Sequence, residues 1–155
     1  MRTGCRLAVD VGAVRIGVAR SDGAGTLAVP VETVRRGAGD LDRIAVLAAE
    51  HEVIEIVVGL PVTLAGAEGT AAAGARSFAE LLAASVRPIP VRLVDERMST
   101  AAAARGLQAA GIKQTRGRTR TRDVVDQAAA VIILQGALDF ERATGKPPGR
   151  SVEVA

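Results

Sequence analysis

The chain has 155 residues, 48% of them hydrophobic and 24% charged, with a formal net charge of +3. That describes one globular domain and excludes a disordered or fibrous chain. No apolar run is long enough to span a bilayer, and Met1-Arg2-Thr3-Gly4-Cys5-Arg6 lacks a signal-peptide layout, so no membrane partner and a cytoplasmic location are expected.

The first predicted elements are a strand, a short glycine-containing turn and a second strand. Leu7, Val9 and Val11 alternate with Ala8 and Asp10, and Ile16 and Val18 continue the period-two pattern to about Ser21. A carboxylate inside such an apolar run is costly unless a cation compensates it. Asp10 therefore reads either as a hard oxygen ligand for a metal ion or as a turn-starting residue bonded to its own backbone. This stretch alone leaves the two readings level. Gly12 lets a ligand or another backbone come close. Asp22-Gly23-Ala24-Gly25 predicts a turn, and Ala28–Val34 a third strand that Pro30 places at a sheet edge. Arg35 to Gly39 reads as a loop. Asp40 then caps a helix with Leu41, Ile44, Leu47 and Ala48 on one face, and His51 at its end serves the helix dipole rather than catalysis.

Val53–Gly59 has the β-branched density of a buried parallel strand. A loop leads to a helix over Thr70–Ser85, with Ala75, Phe78 and Leu82 turned inward. Pro88 and Pro90 bracket the strand Val91–Val94, which runs into Asp95-Glu96-Arg97. Ser99 or Thr100 caps an alanine-rich helix, Ala101–Ala110, closed by Gly111. The longest helix is expected over Asp123–Thr144, with Asp123 at its N-cap and Val125, Ala129, Ile132, Ile133 and Leu138 as the inner stripe. Residues 1–144 read as a single domain and 145–155 as a flexible tail. An antiparallel meander followed by βαβ units predicts an α/β fold, a mixed sheet with helices on both faces.

Lys113, Arg116, Arg118, Arg120 and Arg122 fall in one segment without an acid; without those five charges the rest of the chain carries −2. A mildly acidic body with one basic loop points to a polyanionic partner, nucleic acid, over a solvated linker. Phe78 and Phe140 are the only aromatics, too few for a base-stacking platform, so binding would work through phosphates and shape. The single Cys5 excludes an internal disulfide, and with the single His51 it leaves any metal to oxygen ligands. Asp10, Glu96 after the last strand, and Asp126 near the start of the long helix are three carboxylates that a fold could gather into a magnesium or manganese site. Taken singly, Glu96 reads equally as an arginine partner and Asp126 as a first-turn acid complementing the helix dipole.

Four collinear motifs carry a resemblance over roughly residues 6–140. They are Asp10-Val11-Gly12 with Arg15-Ile16-Gly17-Val18-Ala19; Val58-Gly59-Leu60-Pro61; Asp95-Glu96-Arg97-Met98-Ser99-Thr100; and Val125-Asp126-Gln127-Ala128-Ala129 with Ile133-Leu134-Gln135. Together they resemble the YqgF family, also called RuvX. The resemblance implies a ribonuclease H-like fold related to the RuvC resolvases. It also implies a nuclease that matures the 5′ end of the 16S rRNA precursor, or one that resolves Holliday junctions. Asp10, Glu96 and Asp126 match the family's catalytic acids, and two-metal phosphodiester hydrolysis with Mg²⁺ or Mn²⁺ follows, Asp10 bridging the ions. Arg15, Arg97 and the Lys113–Arg122 segment would hold phosphates. Partners would be precursor rRNA or branched DNA, with the ribosome and a homodimer as further possibilities. Two departures stand out. Val14 replaces a lysine frequent in the family, and Gly59-Leu60-Pro61 stands where RuvC-type enzymes place an acid, so Glu96 has to serve from another strand. The rival readings are an actin-like ATP-binding domain, which would need a second such domain, and a non-catalytic RNA- or ribosome-binding module.

Overall fold

The computed structural model describes residues 1–62, 66–96 and 119–153, with the side chains of 119–123 outside the description. In chain order the elements are β1 (Arg6–Val11), β2 (Arg15–Ser21), β3 (Ala28–Arg35), α1 (Asp40–Glu50), β4 (Glu55–Leu60), α2 (Thr70–Ser85), β5 (Val91–Asp95), α3 (Thr119–Thr144) and β6 (Arg150–Ser151). The strands form a single sheet in the order β3-β2-β1-β4-β5-β6. β1, β4 and β5 run parallel, while β2, β3 and β6 pair antiparallel to their neighbours. This is the mixed sheet expected from a meander followed by crossovers, and Pro30 does lie on the edge strand.

Strand alternation sorts the sheet into two cores. Leu7, Val9, Ile16, Val18, Ile56 and Val58 pack with Ile44 and Leu47 of α1 and Phe78 and Leu82 of α2. On the other face, Ala8, Ala19, Val57 and Val94 pack with Ala130, Ile133, Leu134 and Leu138 of α3. Large aliphatics thus separate α1 and α2 from the sheet, whereas alanines let α3 lie close to it. The inner stripe of α3 is Ala129, Ala130, Ile133, Leu134, Ala137 and Leu138. Val125 and Ile132, expected there, are only partly buried because the stripe is rotated toward Ala130 and Leu134.

Several expectations are corrected. Asp40 is the first helical residue of α1 rather than its cap: Gly39 holds the cap position, and Asp40 accepts bonds from the Leu41 and Gly37 amides at 2.7 and 3.1 Å. The long helix starts at Thr119, so Asp123 lies inside it and Arg120 and Arg122 belong to its first turn instead of a loop. The stretch from Gly145 is not all tail. Arg150–Ser151 pairs with Leu93 and Arg92 of β5, and the Arg92 guanidinium donates to the carbonyls of Pro148 and Gly149. The predicted helix over Ala101–Ala110, with Arg97, Lys113, Arg116 and Arg118, lies outside the described residues.

Candidate functional site

Asp10 stands near the carboxyl end of β1, partly exposed, two residues beyond the buried Ala8. Alternation therefore turns it to the face covered by α3. Its register partner on β2 is Gly17. On the opposite side β1 pairs with β4 up to Val9↔Val58, so the next residue of β4, Gly59, flanks it there. The acid is set between two glycines, and each makes room for another predicted site residue.

Gly17 is where α3 comes closest to the sheet. A Cβ on Gly17 would stand 1.9 Å from the backbone oxygen of Asp126. No other residue type fits unless the helix moves. Two glutamines hold α3 against the edge strand. Gln127 donates to the Thr33 hydroxyl at 3.1 Å; Gln135 accepts from the Ala28 amide and donates to the Thr26 carbonyl, both at 3.0 Å. Being eight residues apart, the two lie on the same side of α3 and fix its rotation, which sets Asp126 over β2.

Gly59 makes room for Glu96. A Cβ there would lie 2.9 Å from Glu96 Oε1 and 2.6 Å from Ile133 Cδ1. Glu96 follows β5 directly and is 3% exposed. Its carboxylate reaches across to the middle strand, into the space that a side chain at position 59 would fill. Asp95 points the other way by alternation and lines a separate cleft with Glu68, Arg76 and Arg150.

Of the three predicted acids, Asp10 and Glu96 thus lie on the α3 face at one end of the sheet, and the backbone of Asp126 passes over Gly17 beside them. Their donor atoms are all oxygens, the chemistry that suits a hard divalent cation. Among the described residues, however, no group of three or more acidic, histidine or cysteine side chains is drawn close enough to hold an ion. Of the predicted phosphate contacts, Arg15 opens β2 at the same end, and Arg120 and Arg122 lie in the first turn of α3; Arg97, Lys113, Arg116 and Arg118 are outside the described residues. The glycines at 17 and 59 are the site features that sequence reading passed over. Their signal was available: a glycine inside a strand marks a close approach.

A family model described as "RuvX: Holliday junction resolvase" matches residues 4–140. A protein of Thermobifida fusca named "Putative pre-16S rRNA nuclease" is 59% identical over 157 residues, covering 99% of this chain and 98% of its own length. Proteins of the same name from a Nocardioides species and Streptomyces coelicolor are 60% and 57% identical, each covering 99% of this chain and respectively 99% and 91% of their own lengths. Among solved structures, Thermus thermophilus RuvC superposes with a TM-score of 0.58 at 17% identity, covering 95% of this chain and 99% of RuvC. RuvC in complex with a Holliday junction substrate gives the same TM-score at 13% identity, covering 94% and 99%. The ribonuclease H-like fold expected from the motifs is borne out.

Proposed function

The chain belongs to the RuvX family, and on that premise we propose that it is a metal-dependent endonuclease whose substrate is the 5′ region of the 16S rRNA precursor. The observation that carries the reading is the placement of Glu96 against Gly59, beside the strand of Asp10, with Asp126 carried over Gly17 on the other side. Relatives at up to 60% identity over nearly the whole chain support the choice of RNA.

In this reading Asp10, Glu96 and Asp126 supply carboxylate oxygens for Mg²⁺ or Mn²⁺. When bound, the metal lowers the pKa of water and offsets charge developing on the scissile phosphate. The chain's own residues do the rest. Arg15, Arg97 and the Lys113–Arg122 segment hold the phosphates on either side of the bond, and α3 closes the α3 side of the sheet under Asp126. The β1–β2 turn, closed by the Gly12 amide donating to the Arg15 carbonyl at 2.8 Å, is exposed at the same end. Such an enzyme works in the cytoplasm, on or beside the ribosome.

The family description favours a second substrate, a four-way DNA junction. Symmetric cutting of that two-fold substrate calls for a homodimer.

The test gives the protein a precursor rRNA and a four-way junction side by side, with Mg²⁺ or Mn²⁺. Asp10→Asn, Glu96→Gln and Asp126→Asn are each expected to lower cleavage at least ~10²-fold, with substrate affinity kept within a few-fold. In chelator, Asp10→Asn is expected to melt no lower than wild type, since one like charge is gone from the acid end. Wild-type cleavage rates in the three variants would overturn the assignment. Binding without cleavage by the wild type would make the chain a nucleic-acid-binding module.

A further inference from the structure

Glu96 ends a row of side chains whose other end is tied to the last residues of the chain. Alternation along β5 puts Arg92, Val94 and Glu96 on the α3 face. Arg92 opposes Val57, and Val94 opposes Gly59, the residue that makes room for the Glu96 carboxylate. The ladder with β4 closes at Leu60↔Asp95, one residue short of Glu96, so the place of Glu96 follows from that of β5.

α3 does little to hold β5. The helix lies mainly over β1, β2 and β3, and Val94 is the one β5 side chain in its core among the described residues. A groove of about 310 Å³, lined by Val94, Ala137, Phe140 and Pro148, opens between α3 and β5.

The outer edge of β5 is held instead by residues 145–152, which lie beyond the residues matched by the family model. α3 ends with the Gly145 amide donating to the Glu141 carbonyl at 2.7 Å. The chain then crosses to β5, where the Arg92 guanidinium donates to the Pro148 and Gly149 carbonyls. Arg150 and Ser151 pair with Leu93 and Arg92, and the Val152 amide donates to the Val91 carbonyl at 2.8 Å. Gly149 has φ 64°, and a Cβ there would stand 2.0 Å from the Leu93 carbonyl oxygen. A side chain at 149 would lift the crossing off β5. The segment therefore joins the helix that carries Asp126 to the strand that leads to Glu96.

We infer that residues 145–152 are a positioning strap for the candidate metal site. By fixing β5 against the end of α3, the strap sets where the Glu96 carboxylate stands relative to Asp10 and to the Asp126 turn. The inference rests on the nuclease reading and adds Arg92 and Gly149 to it as positioning residues, which touch neither substrate nor metal. Ligand carboxylates bind an ion tightly only when their supports hold them in place.

The probe is Mn²⁺ alone, titrated by calorimetry into the full-length protein without nucleic acid. Single-turnover cleavage per folded molecule follows on the same samples. The variants are Gly149→Ala, which lifts the crossing, and Val152→Pro, which removes the amide that donates to Val91. Each is expected to weaken Mn²⁺ binding about tenfold and to lower cleavage at saturating substrate about as much. Nucleic-acid affinity in chelator is expected to stay within about two-fold of wild type, because the phosphate contacts are untouched. Ile44→Val shortens a buried side chain of α1 on the opposite face; it is expected to lower the melting temperature and leave Mn²⁺ affinity unchanged. Strap variants that melt lower, as Ile44→Val does, but bind Mn²⁺ like wild type make the strap purely structural and overturn the inference. Should Gly149→Ala fail to fold, Val152→Pro decides alone. If wild type binds Mn²⁺ and cleaves while the strap variants match it, only the strap falls. If wild type neither binds Mn²⁺ nor cleaves, the nuclease reading falls and the strap with it.

Discussion

Asp10 and Glu55 are both carboxylates in apolar strands, on neighbouring strands of one sheet and under the same helix, yet their surroundings are opposite. Glu55 opens β4 at the amino end, is 1% exposed, and has Arg6 as its register partner on β1. Arg2 donates to its Oε2 at 2.8 Å, and Arg92 stands 3.5 Å from Oε1. Glu141, near the end of α3, joins the group by accepting from Arg2 and from the buried Arg6. Charge at this end is met by charge of the other sign, and the cluster ties the chain's start, β4, β5 and α3 together. At Asp10, by contrast, the fold brings a second carboxylate to the same face, Glu96 beside Gly59, and passes the backbone of Asp126 over Gly17. The two places are spanned by one helix, with fifteen residues from Asp126 to Glu141, roughly 22 Å. A buried ion pair explains itself, whereas the carboxylates at the other end are the ones that the proposed reading gives to a divalent cation.

The sharpest break in the comparison is to remove one partner at the paired end. In Glu141→Gln the Arg6 guanidinium, 2% exposed, loses its anionic partner inside the protein. The expected cost is about 3–5 kcal/mol, or a fall in melting temperature of roughly 10 °C for a domain of this size. Cleavage per folded molecule is expected to stay at the wild-type rate. Denaturant titration and single-turnover cleavage on the same sample check both halves. A loss below about 1 kcal/mol would mean that the cluster behaves as a solvated surface pair.

The two glycines beside Asp10 separate backbone contact from side-chain contact. In Gly17→Ala the new methyl meets a carbonyl oxygen of α3, which moves only with the helix. About 1–3 kcal/mol of destabilisation is expected, together with a cleavage loss of at least tenfold as Asp126 is carried away. In Gly59→Ala the methyl meets the ends of two flexible side chains, Ile133 and Glu96. Stability is expected to fall by about 1 kcal/mol, with cleavage still reduced because Glu96 is pushed aside. Equal stability losses in the two variants would remove the distinction.

How much of this was legible in the sequence follows from the physics of each part. Strand alternation gave the meander and the parallel strands, because burial on one face or both leaves a direct record in residue type. Glu55 in Val53-Ile54-Glu55-Ile56-Val57 is, like Asp10, an acid in an apolar run. Its compensation is illegible in the sequence, because the arginines that meet it come from the chain's start and from β5, far away along the chain. Arg6 and Glu141 were hidden because charged residues at the ends of elements ordinarily face water. Helix rotation was missed for a related reason. Alanines and isoleucines run on around α3, and the tie-breakers are two glutamines whose partners lie on β3. The start of α3 could not be seen either, since Thr115, Thr119 and Thr121 each offer a cap and no apolar period chooses between them.

The mildest test of the comparison is acid titration of stability. Burial alone would raise the Glu141 carboxyl above the ordinary range. The hydrogen bonds from the Arg2 side chain and amide, with the charges of Arg2 and Arg6, outweigh burial and hold it below. A depressed carboxyl favours the folded state only while it is ionised. Its contribution is therefore complete above the unfolded value of about 4.3 and is lost as pH falls through the lower folded one. Two exposed pairs act in the same sense, since Arg43 depresses Glu32 and Arg76 depresses Glu68. Salt tells them apart. At 1 M salt the screening length is about 3 Å, which removes most of the exposed pairs' share and leaves the buried one. Wild type is then still expected to lose stability more steeply than Glu141→Gln as the pH is lowered from 5, the two curves converging in acid. Parallel curves in high salt would place the Arg2–Arg6–Glu141 cluster among the screened surface pairs, and the two ends of the helix would no longer differ in kind.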